Sequence, residues 1–250
     1  MSDESRPTPA QTPVAAVIPA AGRGVRLGPG APKALRALSG TPMLIHAVRA
    51  LAASRHVSLV IVVAPPDGAA EVKSLLDAHA LPERTDFLVV PGGESRQESV
   101  RLGLDALPPQ YGIVLVHDAA RPLVPVETVD AVVEAVRDGA PAVVPALPLA
   151  DTVKEVEPAA EAGDPEPVVA TPERARLRAV QTPQGFDRAT LVSAHETVTE
   201  NVTDDASMVE QLGLTVVAVP GHEEAFKVTR PLDLVLAEAV LARRRLTDGF

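Results

Sequence analysis

Apolar positions along this chain fall into short uninterrupted runs separated by amphipathic stretches. The runs Val14–Ile18, Leu59–Ala64, Phe87–Val90, Ile113–Val116, Ala142–Pro145 and Thr215–Val219 are strand-length and read as buried β-strands. Between and after them, apolar residues recur at helical spacing over Met43–Ala53, Ala69–Ala78, Arg96–Ala106, Val126–Asp138, Arg188–Thr197, Asp205–Leu212 and Leu232–Arg245. Thr203, ahead of Asp204-Asp205, reads as a helix cap, and Pro231 suits a first helical position. The alternation predicts an α/β fold with a mostly parallel central sheet. Ligands of such sheets bind beyond the carboxyl ends of the strands, which gathers the loops after Ile18, Val90 and Val116 around one site.

Two stretches break the rhythm. Residues 1–13 are polar and proline-containing, with no apolar signal-peptide core, and are expected to form a disordered tail. Residues 14–250 then form a single domain. Inside it, Asp151–Val180 interrupts the strand–helix repeat; Glu155–Pro167 holds five acids, three prolines and no basic residue. That segment should be extended and mobile, either as a surface insertion or as an arm reaching a second subunit. Aromatics are 2% of the chain and the net charge is −10, which argues against single-strand stacking platforms and nonspecific duplex binding. There is no cysteine, so thiolate metal sites and disulfides are excluded. With no run of 18 apolar residues, a cytoplasmic location is expected.

The first strand runs into Pro19-Ala20-Ala21-Gly22-Arg23-Gly24-Val25-Arg26-Leu27, followed by Pro32-Lys33. Glycines let backbone N–H groups approach a ligand closely, and two arginines and a lysine suit a polyphosphate under attack. A P-loop would end in Gly-Lys-Ser/Thr, and this loop does not. A dinucleotide fingerprint would place a third glycine where Leu27 stands and an acid about 20 residues on. No Asp or Glu occurs between Glu4 and Asp67, so an NAD-type site is disfavoured. The acid-free window is a local cationic region in an acidic protein, as an anionic substrate requires; a solvated basic face would look similar.

Later loops add chemistry. His117-Asp118-Ala119-Ala120-Arg121-Pro122 follows Ile113–Val116. A carboxylate there can hold Mg²⁺, which takes one or two carboxylates plus substrate phosphates, and Arg121 can meet phosphate oxygens. An Asp118–Arg121 ion pair closing the turn is the structural alternative. His117 has no second histidine at ligand spacing and is a poor metal ligand. Gly92-Gly93-Glu94 with Ser99 could admit a flat ligand and read a base edge, or be plain turn chemistry. In Lys227-Val228-Thr229-Arg230-Pro231, Lys227 is a candidate phosphate ligand because lysine is disfavoured in a strand.

Taken together and in order, PAAGxGxR…PK, GG(E/D)xRxxSV, HDAARP, TPQ, TDDAS and KVTRP resemble the 2-C-methyl-D-erythritol 4-phosphate cytidylyltransferase family, from about Val14 to Glu238. The resemblance implies a Rossmann-like three-layer fold, Mg²⁺ dependence and a homodimer. The implied reaction joins CTP and methylerythritol phosphate into a CDP-alcohol with release of pyrophosphate, in non-mevalonate isoprenoid synthesis. Carried over by position, Arg26 and Lys33 are catalytic, offsetting charge on the α-phosphate. Pro19, Ala20, Ala21, Gly22, Gly24, Gly93, Glu94 and Ser99 line the nucleotide site, and Asp118 holds Mg²⁺. Arg121, Thr182, Thr203 and Lys227 surround the sugar phosphate, while Thr152 and Arg174 match residues donated by the partner's arm. Two departures stand out: Ala34 replaces the family's usual glutamine, and Glu157–Pro167 is longer than the usual arm. Ribitol phosphate as acceptor, or a nucleotide-binding module without catalysis, are the competing readings.

Overall fold

Val14–Pro19 (β1) lies at the centre of the sheet, and its alternating side chains feed opposite cores. The computed structural model describes residues 12–22, 32–161, 163–199 and 202–247. Val14, Ala16 and Ile18 face one apolar cluster; Ala15 and Val17 face the other. Period-two alternation with both faces apolar is what a fully buried parallel strand requires.

The first face is covered by Met43–Ala53 (α1), Ala69–Asp77 (α2) and Val126–Arg137 (α4). These bury, among others, Leu44, Ile45, Val48, Leu51, Leu76, Val129 and Val133. The opposite face is covered by Arg96–Asp105 (α3), Arg188–Thr197 (α5) and Asp205–Gln211 (α6), through Val100, Leu104, Leu191, Met208 and Val209. Two helical layers around one mostly parallel sheet make the three-layer α/β fold. The last helix, Pro231–Thr247 (α7), begins at Pro231 and packs through Ala237, Leu234 and Leu241 beside Leu38, Met43 and Leu123.

The remaining sheet strands are Val57–Ala64 (β4), Asp86–Pro91 (β5), Ile113–Val116 (β6), Ala142–Pro148 (β7), Arg178–Val180 (β10), Gln184–Asp187 (β11) and Val216–Pro220 (β12). Ala37–Leu38 (β2) pairs with Thr41–Pro42 (β3) outside the sheet. From one edge the order is β5, β4, β1, β6, then β11 and β10 in line, then β7 and β12. The β5–β4, β4–β1, β1–β6 and β7–β12 pairings are parallel, while β10 and β11 run antiparallel to their neighbours. After β1 the chain adds strands on one side through β4 and β5, then crosses to the other through β6. This is a topological switch point, and the crevice beyond the carboxyl ends of β1 and β6 is the place such a sheet binds ligands.

The expected elements appear within one or two residues at each end, except β7, which runs three residues further to Pro148. The differences are informative. Asp204, not Thr203, caps α6: its carboxylate accepts from the Ser207 N–H at 3.0 Å. Residues 151–180 contain a small hairpin, Glu155–Val156 (β8) with Val168–Ala170 (β9), and nearly every residue of this arm is exposed. Residues 1–11 of the expected tail lie outside the described residues.

Candidate active site

Three loop starts meet at the switch point. A cavity of about 400 Å³ is lined by Pro19, Ala20, Ala21 and Gly22 after β1, and by Gly93, Glu94, Ser95, Arg96 and Ser99 around the start of α3. Lys33 and Ala34, then Asp118, Ala119, Ala120 and Lys227, complete the wall. Of the expected nucleotide set, Pro19, Ala20, Ala21, Gly22, Gly93, Glu94 and Ser99 are therefore brought together, with Lys33 and Asp118 beside them. Gly24 and Arg26 lie outside the described residues. Ala34, where the family has glutamine, is buried in the apolar cluster at the cavity wall.

The rim at α3 is built by local capping. Ser95 Oγ accepts from the Glu98 N–H at 3.0 Å, and Glu98 Oε2 accepts from the Glu94 N–H at 2.8 Å. Ser99 Oγ accepts from the Gly93 N–H at 3.2 Å and donates to the Ser95 carbonyl at 2.9 Å. Its proton thus serves the loop, so Ser99 shapes the cavity wall here instead of offering a donor to a base. The helix sits close to β1 because of Gly103: a Cβ there would lie 2.6 Å from Val17 Cγ1. Any side chain would push α3, and the rim with it, off the sheet.

Asp118 is the electrostatic centre. Lys227 Nζ lies 2.7 Å from Oδ2, and Arg96 Nε lies 3.4 Å from Oδ1. Burial acts to raise its pKa, but the charges of Arg96, Lys227 and Arg121 outweigh that and hold it well below the usual carboxylate range. The Lys227 and Arg96 side chains are 40% and 34% exposed, so both pairs are partly screened by solvent. Arg96 in turn donates from Nη1 to Asp205 Oδ2 at 2.7 Å, and Asp205 Oδ1 accepts from His195 Nε2 at 3.0 Å. Burial pushes the Asp205 carboxyl up; the His195 hydrogen bond and the Arg96 charge prevail, and its pKa is lowered.

The loop carrying Asp118 is clamped from below. His117 is completely buried, and burial pushes its pKa down to about 4, so the ring is neutral at pH 7. Its Nε2 lies 3.1 Å from the Arg121 carbonyl, which can only accept, so Nε2 carries the proton. Nδ1 is then an acceptor, and Thr182 Oγ1 donates to it at 3.0 Å while accepting from the Asp118 N–H, also at 3.0 Å. Lys227 is positioned by its neighbours: the Val228 N–H donates to the Ala120 carbonyl at 2.8 Å, and Asp233 Oδ2 accepts from the N–H groups of Thr229 and Arg230.

The expected acceptor residues are less gathered. Only Lys227 lines the cavity. Arg121 donates from Nη1 to the Ala225 carbonyl at 2.7 Å and from Nη2 to the Val180 carbonyl at 3.2 Å, so it pairs with backbone; the carboxylate of Asp118 is paired with Lys227 and Arg96 instead. Its buried Nε has no partner among the described residues. Thr182 lies beneath the floor and Thr203 is exposed beside the start of α6. Thr152 and Arg174 sit on the exposed arm, where Arg174 Nη1 donates to the Ala150 carbonyl at 2.5 Å. Arg96, Asp205 and His195 were not singled out by the sequence reading, although Arg96 stands inside the GG(E/D)xRxxSV motif and Asp205 inside TDDAS.

Among the described residues, no cluster of three or more His or acidic side chains could hold a metal. A single ionised carboxylate facing a phosphate-sized cavity nevertheless fits Mg²⁺, which keeps several waters and takes the rest of its ligands from substrate phosphates.

Comparison with known proteins identifies the family. Residues 14–243 match the family described as 2-C-methyl-D-erythritol 4-phosphate cytidylyltransferase. The chain is 88% identical to the protein of that name from Streptomyces avermitilis, over 100% of both chains. A crystal structure of the enzyme so named from Thermus thermophilus superposes with a TM-score of 0.69 at 35% identity, covering 91% of this chain and 98% of that one. The 4-diphosphocytidyl-2C-methyl-D-erythritol synthase of Anaerococcus prevotii gives a TM-score of 0.77 at 28% identity, covering 92% and 99%.

Proposed function

The chain belongs to the 2-C-methyl-D-erythritol 4-phosphate cytidylyltransferase family, and from that premise we propose how its residues carry the reaction. It is a nucleotidyltransferase that joins CTP and 2-C-methyl-D-erythritol 4-phosphate in non-mevalonate isoprenoid biosynthesis. A phosphate monoester is largely a dianion at neutral pH, its second pKa being about 6. One of its oxygens attacks the α-phosphorus of CTP, a new P–O bond forms, the α–β bridging bond breaks, and pyrophosphate leaves. No general base is needed, which accords with a His117 committed to its loop. The protein's task is to hold two anions in line and offset the charge on phosphorus.

The loop after β1 and the rim of α3 cradle the nucleotide. Lys33 offsets charge on the α-phosphate, a role shared by Arg26 in the same loop, and Asp118 holds Mg²⁺, which when bound neutralises phosphate charge. Lys227 receives the acceptor's phosphate, with Thr203 at the edge and Arg121 and Thr182 behind the cavity wall. The observation that carries this reading is the convergence of Lys33, Asp118 and Lys227 on one cavity. The arm completes the acceptor half: Thr152 and Arg174 do not line their own chain's cavity, so a second copy supplies them. Val156, Val168, Val169 and Val180 are exposed along this arm, an apolar surface suited to a homodimer contact.

The test is Mg²⁺-dependent pyrophosphate release with CTP, UTP, ATP and GTP, each paired with methylerythritol phosphate or ribitol phosphate. Turnover is expected for CTP with methylerythritol phosphate; activity with ribitol phosphate alone would reverse the acceptor assignment. Lys33→Ala or Arg26→Ala should lower kcat by about 10²–10³, as loss of an oxyanion-type donor does.

A further inference from the structure

Arg96 stands between two carboxylates that hold it unequally. Its Nη1 is 2.7 Å from Asp205 Oδ2, a short charge-assisted bond, whereas its Nε is 3.4 Å from Asp118 Oδ1, longer than an ordinary N–H···O bond. Asp205 is almost wholly buried on α6, and His195 Nε2 holds its other oxygen at 3.0 Å, so it cannot rotate away. The Arg96 side chain is one-third exposed at the cavity wall and has room to shift. On Asp118, Oδ2 is taken by Lys227 at 2.7 Å, which leaves Oδ1 with the looser counter-ion.

We propose that Asp205, backed by His195, is a positioning residue that restrains Arg96 so that Asp118 Oδ1 stays available to a divalent cation. The inference rests on the reading of Asp118 as the metal-holding residue. With Asp205 charged, Arg96 balances Asp118 at a distance and can withdraw without losing its main bond. With Asp205 neutral, the guanidinium keeps one strong partner, Asp118, closes on it, and competes with the cation.

Mn²⁺, an oxygen-seeking ion that shares the octahedral preference of Mg²⁺, can be titrated into the substrate-free protein and followed by the EPR signal of the free ion. Asp205→Asn should weaken Mn²⁺ binding roughly tenfold, the scale of one partly screened charge contact. Arg96→Gln should bind Mn²⁺ at least as tightly as the parent. The double variant Asp205→Asn/Arg96→Gln should regain the affinity lost in Asp205→Asn, a rescue that a purely structural Asp205 would not produce. With Asp118→Asn abolishing binding, unchanged affinity in Asp205→Asn, or no recovery in the double variant, overturns this inference alone. If Asp118→Asn binds Mn²⁺ like the parent, the metal reading falls and takes the inference with it. Arg96→Gln leaves Asp205 paired with His195, so it decides the matter even where Asp205→Asn does not fold: weaker binding there overturns the inference.

Discussion

Replacing Thr182 by valine tests the clamp beneath Asp118. Valine keeps the side-chain shape but removes the hydroxyl that accepts from the Asp118 N–H and donates to His117 Nδ1. Thr182 is only 5% exposed and His117 wholly buried, so water cannot easily replace either bond. An unsatisfied buried polar group costs about 1–3 kcal/mol, and two are created, so Thr182→Val should destabilise by roughly 2–6 kcal/mol. Thr182→Ser is the control, because it keeps the hydroxyl and loses one methyl, at a cost of about 1 kcal/mol. Urea unfolding of the three proteins at pH 7, read as a shift in midpoint at constant slope, measures the difference. Valine and serine variants within about 0.5 kcal/mol of each other would refute the hydrogen-bond assignment, and with it the tautomer derived for His117.

Two further outcomes follow from charge and exposure. The folded-state pKa of His117 is depressed from 6.5 to about 4, so between those values the unfolded chain binds a proton that the folded one does not. Stability is then full above pH 6.5 and falls by roughly 3 kcal/mol on acidification to pH 4, at about 1.4 kcal/mol per unit. Parallel unfolding of wild type and His117→Asn should show their stability gap narrowing over that window; a constant gap would contradict it. On the arm, the proposed dimer contact predicts that Val168→Asp with Val169→Asp gives a monomer in light scattering where the parent is a dimer, and abolishes turnover while leaving the unfolding midpoint close to wild type. An unaltered oligomeric state would remove the arm from the interface.

The strands β1, β4 and β6 were legible because each is a continuous apolar run, and burial on both faces demands just that composition; β5, a half-exposed edge strand, was legible from its Phe87–Val90 run alone. Gln184–Asp187 was not: it contains a glycine, lacks alternation, and is a strand only because β6 and β7 lie on either side to pair with it. The arm strands were missed for the same reason, being two or three residues long with little burial to leave a pattern. Within the site, Asp118 and Lys33 were readable because they sit in short motifs beside the element ends that the repeat predicts. Arg96 and Asp205 are 109 residues apart, and no local feature pairs them. Thr203 looked like the cap because it stands at the right distance before the helix, yet the backbone turns at Asp204, whose carboxylate takes the bond.

Sequence alone determined the α/β alternation, the cationic character of the first loop and the chemistry available at the strand ends. These follow from periodicity and residue type, which are local properties of a chain. Tertiary structure decided which charges share a cavity, that Ser99 and Thr182 hold loops with their hydroxyl protons, and that Asp118 is shared between Lys227 and Arg96. Those facts depend on distances set by sheet order and helix packing, and electrostatic and hydrogen-bond energies fall away within a few ångströms of the contacts that packing creates.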